Sequence, residues 1–240
     1  ESFYANTTGI DNVAIGGDAL KANTTAASNT AVGKSALAAN TTGDQNTAMG
    51  QNSMDANTTG RNNTSYGMSS LSANTTAAEN CAVGVNALFG NTTGAANTSL
   101  GTYSLQNNTT AANNTAVGYK ALFANTTGAN NIGIGSSAGI NVVTGGDNVF
   151  IGAFSGDNTT GSQNVLIGSS TSTSSAGGGN QIAIGQNVTG SGNGNFTFGD
   201  GTTDSNIAFG ATSITAPSDI RLKEDIQDEE VGLDFINDLR

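Results

Sequence analysis

The stretch ANTTGDQNTAMGQNSMDANTTG, residues 39–60, opens and closes on the same phrase, with Asn40 and Asn57 standing 17 residues apart. Between the two copies lies the pentad NTAMG, residues 46–50. Outward from it the pentad recurs, as NTAVG at 29–33 and NTSYG at 63–67, then onward to NVLIG at 164–168, QIAIG at 181–185, NFTFG at 195–199 and NIAFG at 206–210. The closing glycines run from Gly16 to Gly152 in eight steps of 17, followed by steps of 16, 17, 14 and 11. Self-similarity at a fixed short period is the signature of a solenoid. The reading is thirteen units.

Each unit reads as a strand, a turn, a second short extended segment and another turn. Alternation in the pentad sets its second and fourth residues (Thr/Val/Ile, then Val/Ile/Met/Leu) on one face and the central Ala or Ser on the other. A second apolar residue follows four positions after the glycine, at Leu20, Leu37, Met54, Leu71, Leu88, Leu105 and Leu122. Seventeen residues are too few for a pair of helices, because helical repeats need 33 or more. The prediction is an all-β, parallel β-roll or β-solenoid of about thirteen short coils. At roughly 4.8 Å per coil it would be about 60 Å long.

The asparagine opening each pentad should lie over its counterpart in the next coil and pair through its side-chain amide, although asparagine is also a common turn former. The pentad glycine never changes, which points to a left-handed backbone or close packing at that corner. The glycine of NTTG is replaced by Ala26, Ala77 and Ala111 and cannot need positive φ. With one bulky pentad residue and one Leu placed inside the coil, the Ala/Ser face is left outside. That small flat face is predicted to be the seam of an oligomer, most economically a homotrimer.

Composition limits the function classes. Lys+Arg 7 against Asp+Glu 18 gives a net charge of −11, so no basic stripe is present for nucleic acid. No apolar run is long enough to insert in a membrane. Histidine is absent and Cys81 is the only cysteine, so neither a disulfide framework nor a metal site is predicted, and no cofactor is implied. Cys81 replaces the usual Thr of its pentad and reads as a small residue in a half-buried slot. The acidic pair Asp147 and Asp157, in neighbouring coils, invites a polysaccharide-cleaving reading, but scattered aspartates on an acidic rod are usually only solvated. Regular Thr-Thr pairs such as Thr24-Thr25 invite an ice-binding one. The NTT and NTS sequons are read as turn chemistry.

The pentads NVAIG, NTAVG and QIAIG resemble the head repeats of trimeric autotransporter adhesins. The resemblance covers roughly residues 6–210 and implies a left-handed, trimeric parallel β-roll. The 17-residue period and the inserted NTTG phrase depart from that family.

Beyond residue 210 the repeat stops. Eleven of the 25 charged residues lie in 211–240, with the only proline, in APSDIRLKEDI at 216–226 and before GLDFINDLR at 232–240. This segment resembles the start of the intramolecular chaperone, a self-cleaving peptidase family found at the C-terminus of phage tail fibres and tailspikes. Ser218, Asp219 and Lys223 match its Ser-Asp pair and following Lys, and Leu222 and Ile226 fit one face of a helix. The resemblance implies that Ser218 attacks the Pro217 carbonyl with Lys223 as base, because a desolvated lysine can activate a hydroxyl where histidine is absent. Without the resemblance, Ser218 reads as a helix cap and Lys223 as a solvated charge.

The domain reading is therefore a β-roll shaft over 1–210, a linker over 211–217 and the N-terminal part of a chaperone over 218–240. Ser2, Phe3, Tyr4 and Ala5 fit the frame of Ala19, Leu20, Lys21 and Ala22, so the first residues are expected mid-coil. The function these resemblances imply is a trimeric fibre shaft of a phage tail or related injection device. It would be extracellular or on the virion, attach to a host receptor of glycan or protein nature, and mature by chaperone release. A bacterial cell-surface adhesin is the alternative, and an ice-binding solenoid a further one.

Overall fold

The computed structural model of the chain describes residues 1–211. Thirteen strands follow in chain order: β1 Val13–Ile15, β2 Thr30–Val32, β3 Thr47–Met49, β4 Thr64–Tyr66, β5 Cys81–Val83, β6 Thr98–Leu100, β7 Thr115–Val117, β8 Ile132–Ile134, β9 Val149–Ile151, β10 Val165–Ile167, β11 Ile182–Gly185, β12 Asn195–Gly199 and β13 Ser205–Ala208. They form one sheet in sequential order, with Ala31 over Ala48 and Ala48 over Ser65. The pentads do stack, one per coil, and the chain is a parallel β-solenoid.

The thirteenth unit breaks the pattern. β12 and β13 pair antiparallel, Phe196 opposite Ile207, so the last pentad is a hairpin return and not a coil. Twelve parallel strands make eleven coil steps, about 50 Å of rod at one strand spacing per step. The 11-residue spacing that preceded it in the sequence is too short to close a coil.

The faces are also reversed from expectation. The central pentad residue points inward: Ala31, Ala48, Ser65, Ala82, Ser99 and Ala116 are fully buried. The bulkier second and fourth residues are half-buried or exposed. The reason is volume. Each coil already holds a buried Leu or Met four residues after its glycine, with a buried Ala or Ser just before it, as in Ala36 and Leu37. Only a small side chain fits opposite. The Ala/Ser face is therefore the core and cannot be the predicted seam.

The segment carrying that Leu is not extended. Leu37 (φ 51), Leu71 (φ 51) and Leu122 (φ 51) are left-handed, as are Ser35 (φ 60) and Ser28 (φ 58) at two other corners of the coil. No β-branched residue occupies these three positions wherever the φ is positive, since branching at Cβ makes that conformation costly. These left-handed residues are held by inter-coil hydrogen bonds: Ser35 N donates to the Gly17 carbonyl (2.8 Å) and Leu37 N to that of Ser53 (3.0 Å). The expected second strand is a tight left-handed corner. Phe3 (φ 56) donates its N–H to the Ala19 carbonyl (2.9 Å) and packs on the core, taking the predicted Leu-equivalent place.

The pentad glycine needs both freedoms expected of it. Gly84 has φ +133, and a Cβ there would meet the Gly101 carbonyl carbon at 2.6 Å. The NTTG glycines have no positive φ, consistent with alanine at three of those sites.

Candidate functional surface: amide ladders, an apolar column and an aromatic corner

Three side-chain ladders run along the stack. In the predicted one, the Asn63 side-chain N donates to Asn46 Oδ1 (3.1 Å), and the Asn63 backbone N donates to the same oxygen (3.0 Å). A second ladder runs through the NTT asparagines, with Asn57 Nδ2 donating to Asn40 Oδ1 (2.8 Å) and Asn74 Nδ2 to Asn57 Oδ1 (2.7 Å). The two meet at one carbonyl per coil. That of Gly60 accepts from Asn57 (3.0 Å) and Asn46 (2.8 Å), and that of Ala77 from Asn74 (3.1 Å) and Asn63 (2.9 Å). In the third ladder, Thr41 Oγ1 donates to the Thr58 carbonyl (3.0 Å) in the next coil.

Reading the NTT phrase as turn chemistry missed the second and third ladders. Its 17-residue recurrence was the available signal. These asparagines are fully buried, where an unpaired amide is costly, so their pairing fixes the register of one coil on the next. They are structural groups. The first Thr of each pair spends its hydroxyl on the stack, so an ice-matching array would be left to the second Thr alone.

No three acidic, His or Cys side chains gather to hold a metal among the described residues, and no described helix is long and apolar enough to cross a membrane. Cys81 is half-buried, and burial pushes its thiol up from the ordinary value, which disfavours the nucleophilic thiolate. Asp147 accepts from Asn130 Nδ2 across one coil (3.0 Å), and the Asp157 backbone carbonyl accepts from Asn141, so both belong to the inter-coil network. Ser218, Lys223, the Pro217–Ser218 bond and the helix expected after them lie outside the described residues.

Two surfaces remain. The first is the outer strand face, where the fourth pentad residues form a continuous column. Ile15 is 60% exposed, Tyr66 49%, Val83 38%, Leu100 37% and Ile134 39%. Since the strands pair in register, these side chains stack over one another along the rod. Exposed apolar surface of that continuity marks an association site. The second is a corner at the sixth and seventh coils, where Tyr103, Gln106, Tyr119, Lys120 and Phe123 line an open groove.

No family model matches the chain, and neither a curated protein nor a solved structure matches it.

Proposed function

We propose that this chain is a segment of the shaft of a homotrimeric fibre, of a phage tail or a related injection device, that carries attachment to a host surface. The apolar column on the outer strand face carries this reading. A solenoid whose core is complete within one chain has no internal need for Ile, Val, Leu and Tyr on its outer strand face. Identical columns from sister chains would bury them along the whole rod, and cyclic symmetry lets one surface serve every contact. The seam thus moves from the Ala/Ser face, which is interior, to the bulky face. The amide ladders suit the same role, because they give a long object its stiffness and register without a large core.

In this reading a chaperone beginning at Ser218 would align three strands of sheet whose pairing is slow. Ser218 and Lys223 would then cleave it off. Sedimentation tests the assembly. Three chains of 23.7 kDa give a particle of about 71 kDa (3 × 23.7), and Val83→Lys with Leu100→Lys should dissociate it. A wild type that sediments as one chain at micromolar concentration rejects the trimer. Mass spectrometry of the full-length product tests maturation: a break before Ser218, abolished by Ser218→Ala, is the expected result, and an uncleaved wild type removes the catalytic assignment.

A further inference from the structure

The corner groove differs from the rest of the shaft in a way the coil does not require. The positions one, two and five residues after the pentad glycine hold Ser136, Ser35 and Ser72 in other coils, but Tyr119, Lys120 and Phe123 here. The preceding coil adds Tyr103 and Gln106. The rings of Tyr103 and Tyr119 lie edge to face at 6.0 Å and 72°, and Lys120 Nζ stands 5.4 Å from the ring centroids of both Tyr119 and Phe123. Such a cation is positioned by ring faces.

Charge gives a second, independent observation. The chain is strongly acidic, yet no Asp or Glu occurs between Glu79 and Asp147, and Lys120 is the only charged residue in that span. Among the described residues it has no carboxylate partner. One unpaired cation, flanked by aromatic rings and a side-chain amide, sits in a stretch cleared of negative charge.

We propose that this groove binds an acidic saccharide. A pyranose ring has an apolar C–H face that stacks on Tyr119 or Phe123. Its carboxylate would pair with the Lys120 ammonium, a charge-assisted contact. Its hydroxyls would meet the Gln106 amide and the tyrosine hydroxyls. A peptide adding by its backbone finds only part of the corner's main chain to pair with, because several of its amides are used between coils: Tyr103 N donates to Val85 O (3.0 Å), Lys120 N to Thr102 O (3.1 Å) and Asn107 N to Phe123 O (3.2 Å). The proposal rests on the attachment reading and names the chemical class of the receptor. Three copies per fibre would raise weak single-site binding by avidity.

The test is titration of the chain, followed by NMR, with tetragalacturonate, sialyllactose and a hyaluronan tetrasaccharide, and with the methyl ester of whichever acid binds. At least one acid should shift the Tyr119 and Lys120 signals, and its neutral ester should bind about tenfold more weakly. Tyr119→Ser and Lys120→Asn place residues that other coils already carry, at Ser136 and Asn86, so the fold is retained. Each should weaken binding about tenfold. Failure of all three acids to bind, equal binding of acid and ester, or unchanged binding by both variants would overturn the site. Sedimentation of the same samples separates the two readings. A monomer that binds the acid selectively keeps the site and rejects the trimeric shaft, whereas a trimer that binds nothing does the reverse.

Discussion

Coils from β2 to β7 and coils from β8 to β12 are built on one plan but solve the core differently. In the first region every coil has Ala or Ser facing Leu or Met, and the NTT ladder is unbroken. In the second the central strand residues are Gly133, Phe150, Leu166 and Ala183, and the Leu position becomes Gly139 and then Gly156. The volumes compensate. A Cβ on Gly156 would lie 2.4 Å from Phe150 Cδ1, and one on Gly139 would lie 2.6 Å from Phe150 Cδ2 and 2.7 Å from Leu122 Cδ2. One phenylalanine fills the space that two leucines fill elsewhere. The NTT ladder also stops here, because Val142 replaces the next asparagine and leaves Asn125 Oδ1 without a donor. Only the pentad glycine persists through both regions and into the hairpin. The repeat can exchange side-chain volume and lose a ladder, but it cannot give up that backbone corner.

The largest effect should come from the shared element. Gly84→Val combines a forbidden φ of +133 with contact at 2.6 Å to the next backbone. It should cost about 3 kcal/mol or more and prevent a cooperative thermal transition. Gly177→Ala, where a Cβ meets nothing within 4 Å and φ is not positive, should melt within about 0.5 kcal/mol of wild type.

The core exchange predicts a coupling. Leu88→Ala in the regular region should cost about 2–5 kcal/mol by denaturant titration. In the irregular region, Phe150→Ala leaves a cavity and Gly156→Leu overpacks, each destabilising by about 2–4 kcal/mol alone. Together they rewrite that coil as its regular neighbours, with a left-handed Leu at φ near the 67 that Gly156 already adopts. The double variant should recover at least about 1 kcal/mol of the summed loss. Strict additivity would show that the two sites do not share one space.

The ladder offers a smaller contrast. Asn57→Ala removes the donor to Asn40 Oδ1 and the acceptor for Asn74 Nδ2. Asn125→Ala sits at the break and strands the Asn108 oxygen and the Gly128 carbonyl, but takes no acceptor from another asparagine. The first should be worse by about 1 kcal/mol in thermal unfolding. Equal losses would remove the ladder's cooperativity.

The smallest effect lies in the terminal hairpin. The Asp200 carboxylate accepts from Thr202 Oγ1 (2.6 Å) and from the backbone N–H groups of Thr202 (2.9 Å) and Thr203 (3.2 Å), which hold its pKa down to about 2. A depressed carboxylate stabilises the fold above its ordinary titration range, and the contribution fades as pH falls towards about 2. NMR should show the Thr202 and Thr203 amides shifting in that window, and Asp200→Asn should abolish the shift. The parallel coils should be indifferent to the change.

How much of this was legible follows from which residues backbone geometry dictates. The 17-residue step, the stacking of Asn46 on Asn63 and the demand on Gly84 were readable, because each is a constraint that recurs unchanged. The inward face was not. Alternation in NTAVG separates Ala31 from Thr30 and Val32 but does not say which side is enclosed, and the usual rule that bulky residues go inside fails in a coil already filled by Leu37. The left-handed corner at Leu37 was misread as extended, although the absence of Val, Ile and Thr from this position between Leu20 and Leu122 was a usable sign. The hairpin turn of NIAFG was hidden by its strand-like letters. Only the 11-residue spacing marked it. The aromatic corner left no mark in the repeat, since Tyr103, Tyr119 and Phe123 occupy positions the coil leaves free.

The central claim is that 17 residues of chain advance the rod by one strand spacing. Spin labels at Thr30→Cys and Thr115→Cys, with Cys81→Ser, sit on β2 and β7, five strand steps apart. In samples diluted with unlabelled chain, a dipolar distance narrowly centred at about 24 Å is the predicted result. A broad distribution, or a distance beyond about 35 Å, would mean that the coils do not lie one upon another and would contradict the account.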